Sequence, residues 1–240
     1  MPKPFEIANI DPSFDDDFDN LGCLTWYPWV GRVFSESRKK TLILGESVYD
    51  MPGKVWWTER LASKDGLRIT HFEHAINTKA SSRFVRNIER AIFQRNRPSA
   101  TEIVNLWEGV AYYNLVQRQM ATLKHRPSIE DYILGWEVSM EIFRILSIDQ
   151  CIVYGLERNK LLALAQVLEK QDVIFERRRA PKVGRNAPKV VTFSIDGRQL
   201  KLLFVRHPSA FFSWRKWAKV LEDEGFTIIK SPDAVHNHCL

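Results

Sequence analysis

Apolar residues in this chain fall into two arrangements, short unbroken runs and longer stretches at helical spacing. Thr41-Leu42-Ile43-Leu44 is a run of the first kind, ending in Gly45. Such a run without polar alternation predicts a parallel strand buried on both faces that delivers a loop at its carboxyl end. Residues 110–116, with Ala111-Tyr112-Tyr113-Asn114-Leu115 at their centre, and Gln150-Cys151-Ile152-Val153-Tyr154-Gly155 repeat the pattern. Between the runs, residues 82–94 place Phe84, Val85, Ile88, Ala91 and Ile92 on one helical face, and Arg97-Pro98 ends that helix. Ser128 followed by Glu130-Asp131 predicts an N-cap with acidic residues in the first turn, opening a helix that carries Ile133, Trp136, Met140, Phe143 and Leu146. Residues 158–168, rich in Leu and Ala, predict the next helix. Strands alternating with helices argue for an α/β fold with a parallel sheet and helices on both faces.

The rhythm breaks over 173–200, expected to be a basic loop and hairpin inserted into a single domain spanning 1–240. The runs 190–195 and 198–205 flank Asp196-Gly197, a two-residue hairpin turn. Before it come Arg177, Arg178, Arg179, Lys182, Arg185 and Lys189, with no acidic residue from 177 to 189. This stretch is either a solvated flexible loop or one that contacts phosphates.

Charge adds to the second reading. The 240 residues carry 35 Lys and Arg against 29 Asp and Glu, a formal charge of +6, which favours anionic partners. With 45% apolar residues the chain can bury a substantial core. Cys23, Cys151 and Cys239 form no CxxC pair, so neither a disulfide framework nor a zinc or iron–sulfur signature is present. The start lacks the basic and apolar regions of a signal peptide, and no apolar run approaches the roughly 18 residues of a membrane span. The expectation is a cytoplasmic monomer with no cofactor, no metal and no membrane association. His236-Asn237-His238-Cys239 lacks the usual spacing of a zinc site and is expected to be a disordered tail.

In an open parallel sheet, function concentrates in the loops beyond the carboxyl ends of the strands. Three such loops carry unusual residues: Gly45-Glu46-Ser47-Val48-Tyr49-Asp50, the region of Asn114, and Arg206-His207-Pro208-Ser209-Ala210-Phe211-Phe212. Residues 42–50 resemble the first motif of the uracil-DNA glycosylase superfamily, in which an apolar strand ends in Gly followed by Gln-Asp-Pro-Tyr-His or Glu-Ala-Pro-Gly. Residues 113–116 with Arg126-Pro127-Ser128 are similar to the segment where a strand Asn precedes a Pro-containing helix start. His207-Pro208-Ser209-Ala210 resembles the last motif, His-Pro-Ser or His-Pro-Ala. The resemblance spans about residues 41–217. It implies a three-layer α/β/α fold with a mainly parallel four-stranded sheet, and DNA carrying uracil or another deaminated or damaged base as the partner.

Removing a base from DNA requires taking it out of the stack into a pocket with a stacking surface and groups that read its edge. A carboxamide at Asn114 can meet the O4 and N3–H edge of uracil. Phe72 or Phe84 is a candidate stacking ring, with core packing as the alternative. By resemblance, His207 would hydrogen-bond the developing anion at uracil O2. Ser47 stands where the best-known enzymes place a water-activating Asp, so Glu46 or Asp50 is left to orient water or offset the cationic sugar. Tyr49 matches the tyrosine that excludes the 5-methyl of thymine. Gly45 and Ser47 complete the substrate loop. Ser209, Phe211 and Phe212 lie in the loop that fills the vacated step in this superfamily, and Arg177, Arg178 and Arg179 would contact DNA phosphates. Trp214 and Trp217, three residues apart, either join the apolar wedges of this loop or pack the last helix on the core. The competing reading keeps the pocket and the nucleic acid but not catalysis. A hydrolase or nucleotide-binding enzyme of another kind finds no GxSxG, GxGxxG or Walker sequence here.

Overall fold

The apolar runs become the centre of one sheet. The computed structural model describes residues 8–77, 82–122 and 124–226. In chain order its elements are α1 (Asp15–Asp19), β1 (Trp29–Val30), β2 (Thr41–Gly45), β3 (Val48–Tyr49), α2 (Val55–Ala62), α3 (Gly66–Ala75), α4 (Arg83–Phe93), α5 (Ala100–Gly109), β4 (Ala111–Asn114), β5 (Gln119–Met120), α6 (Ile129–Ile145), β6 (Gln150–Tyr154), α7 (Arg158–Lys170), β7 (Phe175–Arg179), β8 (Lys189–Ile195), β9 (Arg198–Val205) and α8 (Trp214–Asp223). Among the described residues the main sheet is mixed and seven-stranded, ordered β1-β4-β2-β6-β9-β8-β7, and β3 and β5 form a separate short pair. This corrects the four-stranded expectation. β4, β2, β6 and β9 are the parallel middle, while β1 at one edge and β8 at the other pair antiparallel to it. The extra strands arise because the hairpin joins the main sheet through β9, and β7 in turn pairs antiparallel onto β8.

Alternation along each strand builds two cores. Leu42, Leu44, Tyr113, Val153 and Phe204 face the cluster that includes Trp136, Val138 and Leu164 of α6 and α7. Ile43, Tyr112, Ile152 and Leu203 face Val85, Ile88, Trp107 and Trp217 of α4, α5 and α8. Helices thus cover both faces. α6 starts at the expected Ser128, whose side chain accepts from the Asp131 N–H while Asp131 returns the bond, a reciprocal capping box. α4 stops at Gln94, which takes a left-handed conformation three residues before Arg97. The apolar pattern does not predict α2, α3 or α5, although Ser99 and Glu102 form a second capping box at the start of α5.

The expected basic loop begins and ends in strand, with residues 180–188 forming the connection between β7 and β8. Arg177, Arg178 and Arg179 lie in β7 and pair with Val191, Val190 and Lys189. The hairpin turn is as expected, with both Asp196 and Gly197 at positive φ, the requirement of a type I′ turn. Among the described residues no helix is long and apolar enough to cross a membrane. Residues 236–239, expected to form a tail, lie outside the described residues.

α6 lies hard against the exit of β4. A Cβ at Gly135 would sit 2.1 Å from the Leu115 carbonyl oxygen, a backbone atom that cannot swing away. Gly135→Ala is therefore expected to lower stability by about 1–3 kcal/mol, the usual range for overpacking, seen as an earlier urea midpoint with unchanged slope. A midpoint equal to the parent's would mean that α6 can shift without cost.

Candidate active site

The chain leaves β2 to one side for β4, then crosses back to the other side of β2 for β6. Such a reversal opens a crevice at the carboxyl ends of the strands, because neighbouring connections leave in opposite directions. A cavity of about 560 Å³ lies there, within the range of small-molecule sites. β2 and the loop after it contribute Gly45, Glu46 and Ser47, and β4 contributes Asn114 and Tyr112. The loop after β6 adds Gly155, Leu156 and Glu157, and the loop after β9 adds Arg206, His207, Ser209 and Ala210. Tyr49, Phe84, Arg126 and Asn186 complete the wall.

Glu46 is buried, and its backbone is fixed by the Val116 N–H, which donates to the Glu46 carbonyl at 2.9 Å. Its carboxylate receives the Lys160 ammonium at Oε2 (2.8 Å), and Arg126 approaches Oε1 at 3.4 Å from the exposed rim. Lys160 has no exposed surface. It also donates to the Tyr154 carbonyl at 2.5 Å and lies 3.3 Å from Glu157 Oε2. Burial by itself would raise Glu157, but the Lys160 charge, a backbone hydrogen bond and Arg126 hold its carboxyl below the usual range. Gly155, at φ 99°, leaves room for this cluster, since a Cβ there would stand 2.4 Å from Lys160 Nζ and 2.2 Å from Glu157 Oε2.

Asn114 Oδ1 accepts from the Tyr112 hydroxyl at 3.1 Å. That bond fixes the carboxamide plane and leaves its two N–H donors for a ligand. A Cβ at Gly45 would lie 2.2 Å from Asn114 Oδ1, so the strand-ending glycine clears the space that the amide occupies. Ser47 Oγ is buried without a hydrogen-bond partner among the described residues.

His207 resolves its own tautomer. The Ser209 N–H donates to its Nδ1 at 3.2 Å, so the proton of the neutral ring sits on Nε2. Its ring packs edge-on against Tyr154 and Phe84, with centroids 5.5 and 6.1 Å away. Burial is the main cause that pushes its pKa down to about 4, with Glu46 and Glu157 opposing and Lys160 and Arg126 assisting. The loop is held from two sides: Asn87 Nδ2 donates to the Pro208 carbonyl (2.7 Å), and Arg206 donates to the Ala210 carbonyl and to Asn186 Oδ1, each at 3.0 Å.

The structure thus brings Gly45, Glu46, Ser47, Tyr49, Asn114, His207 and Ser209 together. The other sequence candidates stand elsewhere. Asp50 is exposed beside the β3–β5 pair and accepts from Gln119 at 3.2 Å, outside the cavity wall, because the chain turns away along β3. Phe72 on α3 packs half-buried in the helix-side core, and Phe84 supplies the aromatic wall instead. Phe212 is buried and stacks on Trp217 at 5.4 Å, so it belongs to the core, whereas Phe211 is 90% exposed at φ 52° with Arg206 against its ring. Arg178 is ion-paired with Glu224 (2.9 Å), and Arg177 and Arg179 remain on the exposed edge strand.

Sequence reasoning does not single out Lys160, Glu157, Arg126 or Tyr112 as site residues. Glu157 was reachable, since it follows a strand end as the other loops do. Lys160 was not, because a lysine in the first turn of a Leu-rich helix reads as a solvated side chain.

No protein-family model matches the chain, and no curated protein matches it in sequence.

His207 is expected to titrate near 4 with Nε2 protonated above that, measured by long-range ¹H–¹⁵N NMR of the ring. The folded state then holds this proton less tightly than the unfolded chain, so the group lowers stability as pH falls from about 6.5 towards 4 and adds no pH dependence above that window. A ring titrating at 6.5, or carrying its proton on Nδ1, would overturn the assignment.

Proposed function

We propose that the cavity receives a nucleobase turned out of a DNA strand and that the protein hydrolyses its N-glycosidic bond, with uracil or another deaminated or damaged base as substrate. The observation that carries the reading is the presence of two preset groups in the lining of one crevice: a neutral His207 whose Nε2–H has no hydrogen-bond partner among the described residues, and the buried Glu46 carboxylate. Breaking the bond leaves the electron pair on the base and a cationic sugar, so a donor is needed at one end and a negative charge at the other.

Asn114 reads the edge of the base through its amide, and Phe84 and Tyr49 form apolar walls beside it. His207 donates through Nε2 to the base oxygen on which charge accumulates, and it does so without first acquiring a proton. Glu46 offsets the cation and orients a water whose oxygen bonds to the anomeric carbon as the C–N bond breaks, and the proton that this water loses ends on the departing base anion. Phe211, exposed next to the cavity mouth residues Ser209 and Ala210, suits the apolar wedge that fills an unstacked step. The fold expected of this reading is three-layered around the parallel strands.

A second reading is favoured by the engagement of both Glu46 oxygens with cations and by Ser47 in place of an acidic residue. There the pocket binds a base without cleaving it.

Oligonucleotides carrying uracil, hypoxanthine or xanthine, single- and double-stranded, separate the two through alkali-sensitive abasic sites. The hydrolase reading expects base release that falls at least tenfold in Asn114→Ala and in His207→Ala. Glu46→Gln keeps size and hydrogen bonding but loses charge, and is expected to slow release about a hundredfold, a loss near 3 kcal/mol of transition-state stabilisation. Asp50→Asn is expected to leave release unchanged, and thermal melts check that each variant folds. No release from any substrate, with retained binding, would transfer the assignment to the second reading.

A further inference from the structure

A second cavity, of about 590 Å³, borders the first at Leu156. Its walls combine Leu156, Leu161 and Leu162 with Arg158 at the start of α7, Arg177 and Arg179 of β7 and Lys189 of β8. Side chains two apart on a strand share a face, so Arg177 and Arg179 project together, and the register sets Lys189 opposite Arg179. Arg178 also borders the cavity, but its guanidinium is turned to Glu224, which Lys201 engages as well. Among the described residues none of Arg158, Arg177, Arg179 and Lys189 has an ion pair, whereas the neighbouring cations Arg178, Lys160 and Lys201 are each matched by a carboxylate. The crowding is felt within the cluster, since burial and the two neighbouring arginines hold Lys189 below the usual lysine range.

Four uncompensated cations around one concavity repel each other and focus a positive potential on it. Guanidinium forks match phosphate oxygens in pairs, and the leucines offer apolar surface of the kind a sugar or base face covers. We propose that this groove holds the phosphodiester backbone of the nucleic-acid strand on one side of the extruded nucleotide, the strand passing Leu156 from the base pocket into the groove. The continuity with the pocket rests on the function proposed above; the phosphate site itself does not.

The test uses the full chain and fluorescein-labelled oligodeoxynucleotides without any damaged base, titrated by anisotropy over a salt series. Removing one phosphate interaction with a single strand lowers the slope of log K against log salt by about 0.7. On that scale Arg177→Gln/Arg179→Gln is expected to flatten the slope by about 1.4 and Lys189→Gln by about 0.7, while Arg178→Gln leaves it unchanged. Melting curves and circular dichroism verify folding of every variant, and Arg177, Arg179 and Lys189 are suited to Gln because they make no ion pair among the described residues. An unchanged slope in the folded double variant, or a flattening no greater than that of Arg178→Gln, would overturn the groove. So would a glutamate oligomer that binds as tightly as the oligonucleotide and ceases to bind in the same variants, since the site would then be one for acidic peptides. Because the strands carry nothing to excise, a groove that survives while damaged bases are not released removes the hydrolase reading alone. Base release with an unaltered salt slope removes the groove alone.

Discussion

An ammonium group with no exposed surface must be met by negative charge and carbonyl oxygen, because removing it from water costs several kcal/mol. Lys160 is in that position, and its partners come from three different segments: Glu46 at the end of β2, the Tyr154 carbonyl at the end of β6, and Glu157 at the entry to α7. The lysine therefore ties two neighbouring strands of the crevice floor to the helix leaving it. The Tyr132 ring of α6 faces the same ammonium, 5.4 Å from its centroid, so the helix layer is tied in as well. A pair of this kind contributes little net stability compared with apolar packing, but breaking it by removing one partner leaves a buried charge. Its consequence is positional: Lys160 at Oε2 and Arg126 at Oε1 hold the Glu46 carboxylate from two sides.

The glycines follow from that arrangement. Gly155 is demanded both by its positive φ and by the proximity of Lys160 and Glu157, and Gly45 by the amide of Asn114. Elsewhere in the lining, His207 is set by a backbone donor and by rings, with no charge partner in hydrogen-bond contact among the described residues. Glu46 and His207 thus differ in kind, one held in an ionic cluster and the other a neutral ring. A crevice with that asymmetry can meet a bond that separates charge as it breaks.

Sequence patterning reached the parallel centre of the sheet because β2, β4 and β6 are apolar on both faces, and it reached the hairpin because Asp196-Gly197 specifies one turn type. It did not reach β7, since Arg177, Arg178 and Arg179 look like a solvated run although the backbone pairs along β8. It did not reach α2 and α3, whose tryptophans, charges and histidines show no clear stripe. In the site, the strand-end rule located Glu46, Asn114 and His207, each beside a signal in the local sequence. Distinguishing Glu46 from Asp50, Phe84 from Phe72, or Phe211 from Phe212 required knowing which way the chain turns after each loop, and no residue type records that. Lys160 was hidden for a similar reason, because only the packing of α7 on the strand ends shows that its first turn is buried.

The most direct test of the account is a titration of ¹⁵N-labelled protein with free uracil, hypoxanthine and xanthine, following the Asn114 side-chain amide and the His207 ring nitrogens. If the ionic cluster at Glu46 and the neutral His207 together form a base pocket, one of these bases moves both signals along a single binding curve, and in Lys160→Met, with Glu46 no longer held, that curve shifts to much higher concentration. A folded protein in which no base moves either signal, or in which Lys160→Met binds as the parent does, would contradict the account.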